Sequence, residues 1–154
     1  PIPLPYELVI EPNQTLVARE SGIWWDARWV LKLVQSDALI HSIVAFECLE
    51  KSLRVQQIQG MKIGVSGIER YRGFRWERLL LEAVCILAQE TPDCQEVRVL
   101  KAEKTPWYEA AIGFPEPDTF HASMKRRYNG TAKALKFKKC PIFDEWVRAP
   151  KLAV

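Results

Sequence analysis

Apolar and polar residues change their spacing several times along this chain, and each spacing predicts a different element. Alternating or β-branched runs predict four strands, over residues 6–11, 38–49, 53–65 and 96–102. Residues 76–90 contain no glycine or proline, and their apolar positions cover more than one helical face. That pattern is typical of a buried helix.

The order strand, turn, helix, strand over residues 53–102 predicts a βαβ crossover, which makes its two strands parallel neighbours. The preceding strand, 38–49, is separated from it only by Glu50-Lys51-Ser52, which predicts an antiparallel hairpin. We therefore expect an α/β fold with a mixed, mostly antiparallel sheet built around one central crossover. The helix that follows the turn begins with free backbone N–H groups and a partial positive charge, so its N-terminus can bind an anion.

The remaining segments have patterns that fit different elements. Residues 24–34, which contain three tryptophans, are compatible with either a helix or a strand. Thr105-Pro106 predicts a helix start, and the short helix should end at Gly113. The segment 140–147 is expected to dock through its aromatic residues.

Residues 119–139 predict a β-hairpin that turns at Asn129-Gly130. Apolar and polar residues alternate before this dipeptide, and Asn-Gly between alternating runs is a strong hairpin signal because both residues tolerate positive φ. Leu135 and Phe137 should then meet the first strand from the returning one. The segment also contains seven lysines and arginines and no acidic residue, whereas residues 1–118 hold 13 basic and 17 acidic side chains, a balance of 13 − 17 = −4.

The crossover region resembles one family, the GNAT acyl-CoA N-acyltransferases. Their Gln/Arg-x-x-Gly-x-Gly/Ala signature stands between a strand and a helix, and Arg70-x-x-Gly73-x-Arg75 matches two of its three fixed positions. A register that starts at Arg72 places charged residues at both small positions. Members also carry Tyr-x-x-x-Gly-Phe at the end of the next helix. Here Tyr108 stands one residue too early for the Gly113-Phe114 pair. The resemblance covers about residues 38 to 128.

The resemblance implies transfer of an acetyl or other acyl group from coenzyme A to an amine, with acetyl-CoA as substrate. It implies that coenzyme A binds at Val65, Arg70, Arg72, Gly73, Phe74 and Arg75. Tyr108 is the implied general acid that protonates the departing thiolate, and Glu47 is the candidate general base. The arginines at and after the turn could supply the phosphate contacts that glycine backbone supplies elsewhere, because a guanidinium binds phosphate bidentately. They are equally compatible with a solvated charged face.

Length and composition indicate a single globular domain over residues 1–154, with 48% apolar and 27% charged residues. No apolar run approaches the roughly 18–20 residues that span a bilayer, and the first residues do not have the pattern of a signal peptide. We therefore expect a cytoplasmic protein without a membrane partner. The four cysteines and two histidines show no standard metal spacing, so no metal is expected. The oligomeric state and the amine acceptor do not follow from the sequence.

Two other functions are compatible with the same residues. The departures from the family signature would suit a GNAT-like fold that has lost catalysis and serves as a binding or scaffold module. The basic segment 119–139, with Tyr128 and Phe137 between its cations, could instead bind nucleic acid through phosphate contacts and base stacking. A basic hairpin could also be a solvated sheet edge whose lysines discourage aggregation.

Overall fold

The computed structural model describes residues 6–12, 27–35, 40–60 and 75–150. Within these residues seven strands form one sheet, in the order β1-β2-β3-β4-β5-β7-β6. The strands are β1 (Tyr6–Pro12), β2 (Trp29–Gln35), β3 (Ile40–Leu49), β4 (Ser52–Gly60), β5 (Glu96–Leu100), β6 (Lys138–Lys139) and β7 (Glu145–Arg148).

The described helices all follow β4 in the sequence. They are α1 (Trp76–Glu90), α2 (Pro106–Ala110), α3 (Pro117–Lys125) and α4 (Thr131–Ala134). Two short 3-10 turns, Ala102–Lys104 and Ala111–Gly113, flank α2, and a π-helical turn, Arg126–Gly130, joins α3 to α4.

The sheet is mixed, and the predicted crossover is confirmed. The pairs β1–β2, β2–β3, β5–β7 and β6–β7 are antiparallel. Only Glu50 and Lys51 separate β3 from β4, and so short a connection can join only antiparallel strands. The Gln95 amide donates to the Lys51 carbonyl at 2.8 Å. This bond brings the start of β5 beside the start of β4, so these two neighbouring strands run parallel.

The chain divides into two compact units. The first unit comprises Pro1–Glu47 and Val55–Val84. Residues 41–46 of β3 are all buried, so both faces of this strand are covered. The core of the unit also contains Trp76, Leu80 and Leu81 from the first half of α1. The burial of these residues explains why the α1 pattern spans more than one helical face.

The second unit comprises Cys48–Arg54 and Cys85–Val154. Its core contains apolar side chains from β5, from the helical segment after α2, from the turn that follows this segment and from β7, namely Val97, Val99, Met124, Tyr128, Ala132, Phe137 and Trp146. Glu145 on β7 is also buried and forms an ion pair with Arg54, with a guanidinium nitrogen 2.6 Å from its carboxylate. Pairing of this kind compensates the cost of removing a carboxylate from water.

The predicted hairpin over 119–139 is wrong, because residues 117–134 are helical. Phe120, Met124 and Tyr128 recur at intervals of four, and the latter two are buried, which is the spacing of a helix face. The alternation that suggested a strand includes Ala122, which is exposed. Gly130 has φ −65° and does not use the positive φ that an Asn-Gly turn requires.

The positive φ that ends this helical segment occurs instead at Lys136, where φ is 63°. The Phe137 amide donates to the Ala132 carbonyl at 2.9 Å, and the Lys136 amide donates to the Lys133 carbonyl at 3.0 Å. These two bonds form a Schellman motif, with the buried Phe137 as its apolar contact. The chain then enters the two-residue strand β6 at the edge of the sheet.

Over the described residues, the other predicted elements agree with the structure to within a few residues, and residues 61–65 of the strand predicted over 53–65 lie outside the described residues. The helix predicted over 76–90 matches α1, and the strand predicted over 96–102 ends earlier because Ala102 begins a 3-10 turn. In the tail, Trp146 docks in the core, whereas Phe143 is exposed. In the part of the chain that the structure describes, no helix combines the length and apolar composition needed to cross a bilayer.

Candidate functional site

The N-terminus of α1 places two arginines in solvent. The Arg75 carbonyl accepts hydrogen bonds from the amides of Arg78 and Leu79, at 3.1 and 3.2 Å, so the helix begins directly after Arg75. Arg75 and Arg78 are exposed, whereas Trp76 between them is buried and anchors the first turn. The helix start is therefore fixed in the core while its two cations remain accessible.

The charge of this first turn is not uniformly positive. Glu77 is only 5% exposed, and a carboxylate near a helix N-terminus interacts favourably with the partial positive charge there. An anion approaching from solvent would still meet Arg75 and Arg78 first. The other residues of the predicted coenzyme A site lie outside the described residues: Val65, Arg70, Arg72, Gly73 and Phe74.

Tyr108, the predicted general acid, lies in α2 in the second unit. Pro106 occupies the first turn of α2, where its missing N–H costs nothing, and the Tyr108 amide donates to the Thr105 carbonyl at 3.0 Å. The Tyr108 side chain is half-buried, and its ring stacks on the His121 ring with centroids 3.9 Å apart and planes 17° from parallel. The phenol is thus neither packed away in the core nor free to rotate.

His121 also contacts the backbone of Tyr108. Its Nε2 atom lies 2.7 Å from the Tyr108 carbonyl oxygen. A carbonyl only accepts hydrogen bonds, so Nε2 must carry the proton, and in the neutral ring Nδ1 is the nitrogen with the lone pair. One side chain of α3 therefore holds α2 through both its ring face and its N–H.

Lys125 follows His121 by one helical turn and approaches the same tyrosine. Its ammonium lies 5.7 Å from the Tyr108 ring centroid and 4.0 Å from a carboxylate oxygen of Glu103. The pKa of Lys125 is raised above its ordinary value, first by its interaction with the Tyr108 side chain and further by the nearby Glu103 carboxylate. The cation thus lies against the side chain that is the predicted general acid.

Asn129, one further turn along, connects this cluster to the rest of the second unit. Its Oδ1 accepts hydrogen bonds from the Ala102 amide at 3.2 Å and from the Trp146 indole N–H at 3.0 Å. Its Nδ2 donates to both carboxylate oxygens of Glu103, at 3.3 and 3.1 Å. The side chain therefore ties the π-helical turn to the 3-10 turn and to β7.

Glu103 is held in its charged form by these neighbours. Partial burial acts to raise its pKa, but the Asn129 hydrogen bonds, its own backbone N–H and the charges of Lys125 and Lys101 together lower it below the ordinary value. The carboxylate consequently remains an acceptor for Asn129 and a partner for the Lys125 ammonium in mildly acidic solution.

Glu47, the predicted general base, lies near the end of β3 and is half-buried. It belongs to the first unit, as Arg75 does, whereas Tyr108 belongs to the second. His41, also on β3, is buried, with Nδ1 3.0 Å from the Ser42 hydroxyl and the rings of Tyr6 and Trp76 against its own. Its surroundings are those of a core residue.

The basic segment contains exposed cations but lacks exposed aromatic partners for a base. Among the described residues, Arg126, Lys136, Lys138 and Lys139 are exposed and form no ion pair. Tyr128 and Phe137, the residues expected to stack on bases, are 1% and 4% exposed and belong to the core. Base stacking, one of the alternatives compatible with the sequence, is therefore not available to them. Lys138 and Lys139 instead occupy the edge strand β6, where lysines oppose edge-to-edge association.

Sequence reasoning missed His121, Lys125, Glu103 and Asn129 as a cluster around Tyr108. A signal was present, because residues 121, 125 and 129 are spaced by four and would share one helix face. Interpreting the segment as a hairpin concealed it, since residues four apart on a strand are about 13 Å apart along the chain.

No protein-family model matches the chain, and no curated protein matches its sequence. Among solved structures, it is similar to a GNAT family acetyltransferase of Staphylococcus aureus Mu50, with a TM-score of 0.45, 12% identity, and coverage of 94% of this chain and 100% of that one. It is also similar to a GNAT family N-acetyltransferase (YhbS) of Escherichia coli in complex with CoA. That match has a TM-score of 0.41, 14% identity, and coverage of 92% of this chain and 81% of that one.

Proposed function

We propose that this chain is an N-acyltransferase that moves an acyl group, in the simplest case acetyl, from coenzyme A to an amine. The observation that carries the proposal is the crossover from β4 through α1 to β5, whose helix begins with two exposed arginines, Arg75 and Arg78. In the family that the sequence resembles, the corresponding turn and helix N-terminus bind the pyrophosphate of coenzyme A. The Arg70-x-x-Gly73-x-Arg75 motif leads directly into this helix.

The reaction requires a neutral amine, a polarised thioester and a proton for the leaving thiolate. In the proposed mechanism Glu47, or water, removes a proton from the amine, because only the unprotonated nitrogen has a lone pair to attack with. The nitrogen then adds to the thioester carbonyl, and backbone N–H groups stabilise the oxyanion. When the C–S bond breaks, Tyr108 gives its hydroxyl proton to the sulfur. A phenol with an ordinary pKa near 10 carries that proton at neutral pH.

One feature of the first turn favours a second candidate, a GNAT-like binding module without catalysis. Arg75 stands where the family signature has a small residue, and a side chain there hinders the close approach of backbone to pyrophosphate. The buried Glu77 places an acidic side chain in the same turn. Binding of coenzyme A without acyl transfer would identify this second function.

Calorimetric titration of acetyl-CoA into the full chain tests the proposed site. We expect saturable binding that weakens at least about tenfold when Arg75 and Arg78 are both replaced by alanine, because each charge-assisted hydrogen bond to phosphate is removed. The matched control is Arg126→Ala, which removes an exposed arginine of the second unit and should leave the affinity unchanged. Absence of binding by the native chain at millimolar acetyl-CoA, or equal loss in the control, would overturn the site.

A further inference from the structure

We propose that His121 and Lys125 are positioning residues for Tyr108, and that the Lys125 ammonium stabilises the phenolate left when Tyr108 donates its proton. This inference deepens the proposed function and rests on it. It concerns two side chains of α3 that the sequence did not single out.

Helix α3 presents both residues to one ring. His121 and Lys125 are separated by four positions, so they lie on the same face of the helix. The imidazole covers the Tyr108 ring at 3.9 Å, and the ammonium reaches the same ring 5.7 Å from its centroid. Stacking of this kind limits rotation about the tyrosine side-chain bonds.

His121 also fixes the backbone beneath the ring. Its 2.7 Å hydrogen bond to the Tyr108 carbonyl is made within a helix of only five residues. So short a helix gains little stability from its own hydrogen bonds and depends on packing. The direction of the phenol is therefore set by α3.

The charge on the Tyr108 side chain changes during the proposed reaction. Proton donation by Tyr108 converts the neutral hydroxyl to an anion and the coenzyme A thiolate to a thiol, so total charge is conserved. An ammonium that already lies against this tyrosine, 5.7 Å from its ring centroid, attracts the phenolate, and the interaction strengthens as the negative charge forms. Glu103 lies 4.0 Å from the Lys125 ammonium, and two hydrogen bonds from the Asn129 amide hold this carboxylate in place. Solvent returns the proton to Tyr108 after the thiol has left.

Release of free thiol from acetyl-CoA, measured in the presence of a mixture of primary amines, tests the role of Lys125. We expect Lys125→Met to lower kcat about tenfold with an unchanged KM for acetyl-CoA, and Lys125→Arg to restore most of the rate because it returns a cation. In a Tyr108→Phe background, Lys125→Met should cause no further loss, since no phenolate forms. The control Arg126→Met removes the adjacent exposed cation and should leave kcat unchanged.

The role of His121 is tested by NMR of the Tyr108 ring, which does not depend on turnover. The ring protons above the imidazole should be shifted upfield in the native chain. That shift should disappear in His121→Ala and persist in His121→Phe, which keeps the stacked ring. Ring signals that His121→Ala leaves unchanged would overturn the positioning by His121.

The outcomes separate the two proposals. Absence of thiol release by the native chain would overturn the proposed function and, with it, the role of Lys125. Thiol release that Lys125→Met leaves unchanged would overturn the role of Lys125 while the acyltransferase function stands.

Discussion

Asn129 satisfies two donors at once, the amide of the fully buried Ala102 and the indole N–H of the buried Trp146. Replacing Asn129 with alanine leaves both donors without this acceptor, and a buried donor without a partner costs about 1–3 kcal/mol. We therefore expect Asn129→Ala to lower the free energy of unfolding by about 2–4 kcal/mol in urea titration. A loss below about 0.5 kcal/mol, the size of an ordinary surface substitution, would show that water replaces the amide.

The adjacent Gly130 provides a matched substitution with the opposite expectation. Its φ is −65°, and an added Cβ would meet only the Lys125 carbonyl oxygen, at 3.9 Å, which is ordinary contact. Gly130→Ala should therefore raise the free energy of unfolding by about 0.5–1 kcal/mol, because alanine favours helix over glycine. In the Asn-Gly hairpin turn that the sequence suggested, the same substitution would be destabilising, so the sign of the change decides between the two conformations.

At the scale of elements, the 3-10 turn Ala102–Lys104 is connected to its neighbours through two carboxylates. Glu103 accepts from Asn129, and Asp144, in the loop before β7, pairs with Lys101 and Lys104. The hydrogen bond from Lys101 has the largest effect and, together with Lys104, outweighs the opposing effect of desolvation, so the pKa of Asp144 lies below its ordinary value of 3.8. The pKa of Glu103 is likewise below its ordinary value of 4.5.

These two carboxylates predict a loss of stability in acid. A group whose pKa is lower in the folded chain than in the unfolded chain stabilises the fold above its unfolded pKa, and this contribution is lost as the pH falls through the folded pKa. The free energy of unfolding, measured by urea titration, should therefore decrease as the pH falls below about 4.5. Glu103→Gln should make that decrease shallower, whereas the exposed control Glu109→Gln should not. An equal slope in both variants would contradict the contribution of Glu103.

The helical segment 117–134 shows why one element could not be assigned from local pattern. The spacing of Phe120, Ala122 and Met124 fits the period of two of a strand. The spacing of Phe120, Met124 and Tyr128 fits the period of a helix, and the local sequence excludes neither element. The choice depends on tertiary contacts, above all the burial of Tyr128 and the bonds that Asn129 makes to distant residues. Where period and turn chemistry are both unambiguous, as in α1, the predicted boundaries are correct.

At the scale of the whole molecule, the central part of the sheet could be predicted because it depends on element order. A strand, a buried helix and a strand in succession predict a crossover, and β4, α1 and β5 confirm it. The candidate site was predictable only in part. Arg75 and Tyr108 were proposed from a motif, whereas His121 and Lys125 acquire their relation to Tyr108 only when α3 packs against α2. The roles assigned to Glu47, Arg75 and Tyr108 stay predictions.

The central claim is acyl transfer, and the most direct measurement follows the acyl group itself. The full chain is incubated with acetyl-CoA labelled in the acetyl group and a mixture of primary amines, and the products are separated by chromatography. The account predicts labelled amide, with Tyr108→Phe forming it about a hundredfold more slowly, because general acid catalysis contributes on the order of 10²–10⁴ in rate. Acetyl label that remains entirely on coenzyme A, while calorimetry shows the coenzyme bound, would contradict the claim and favour a binding module.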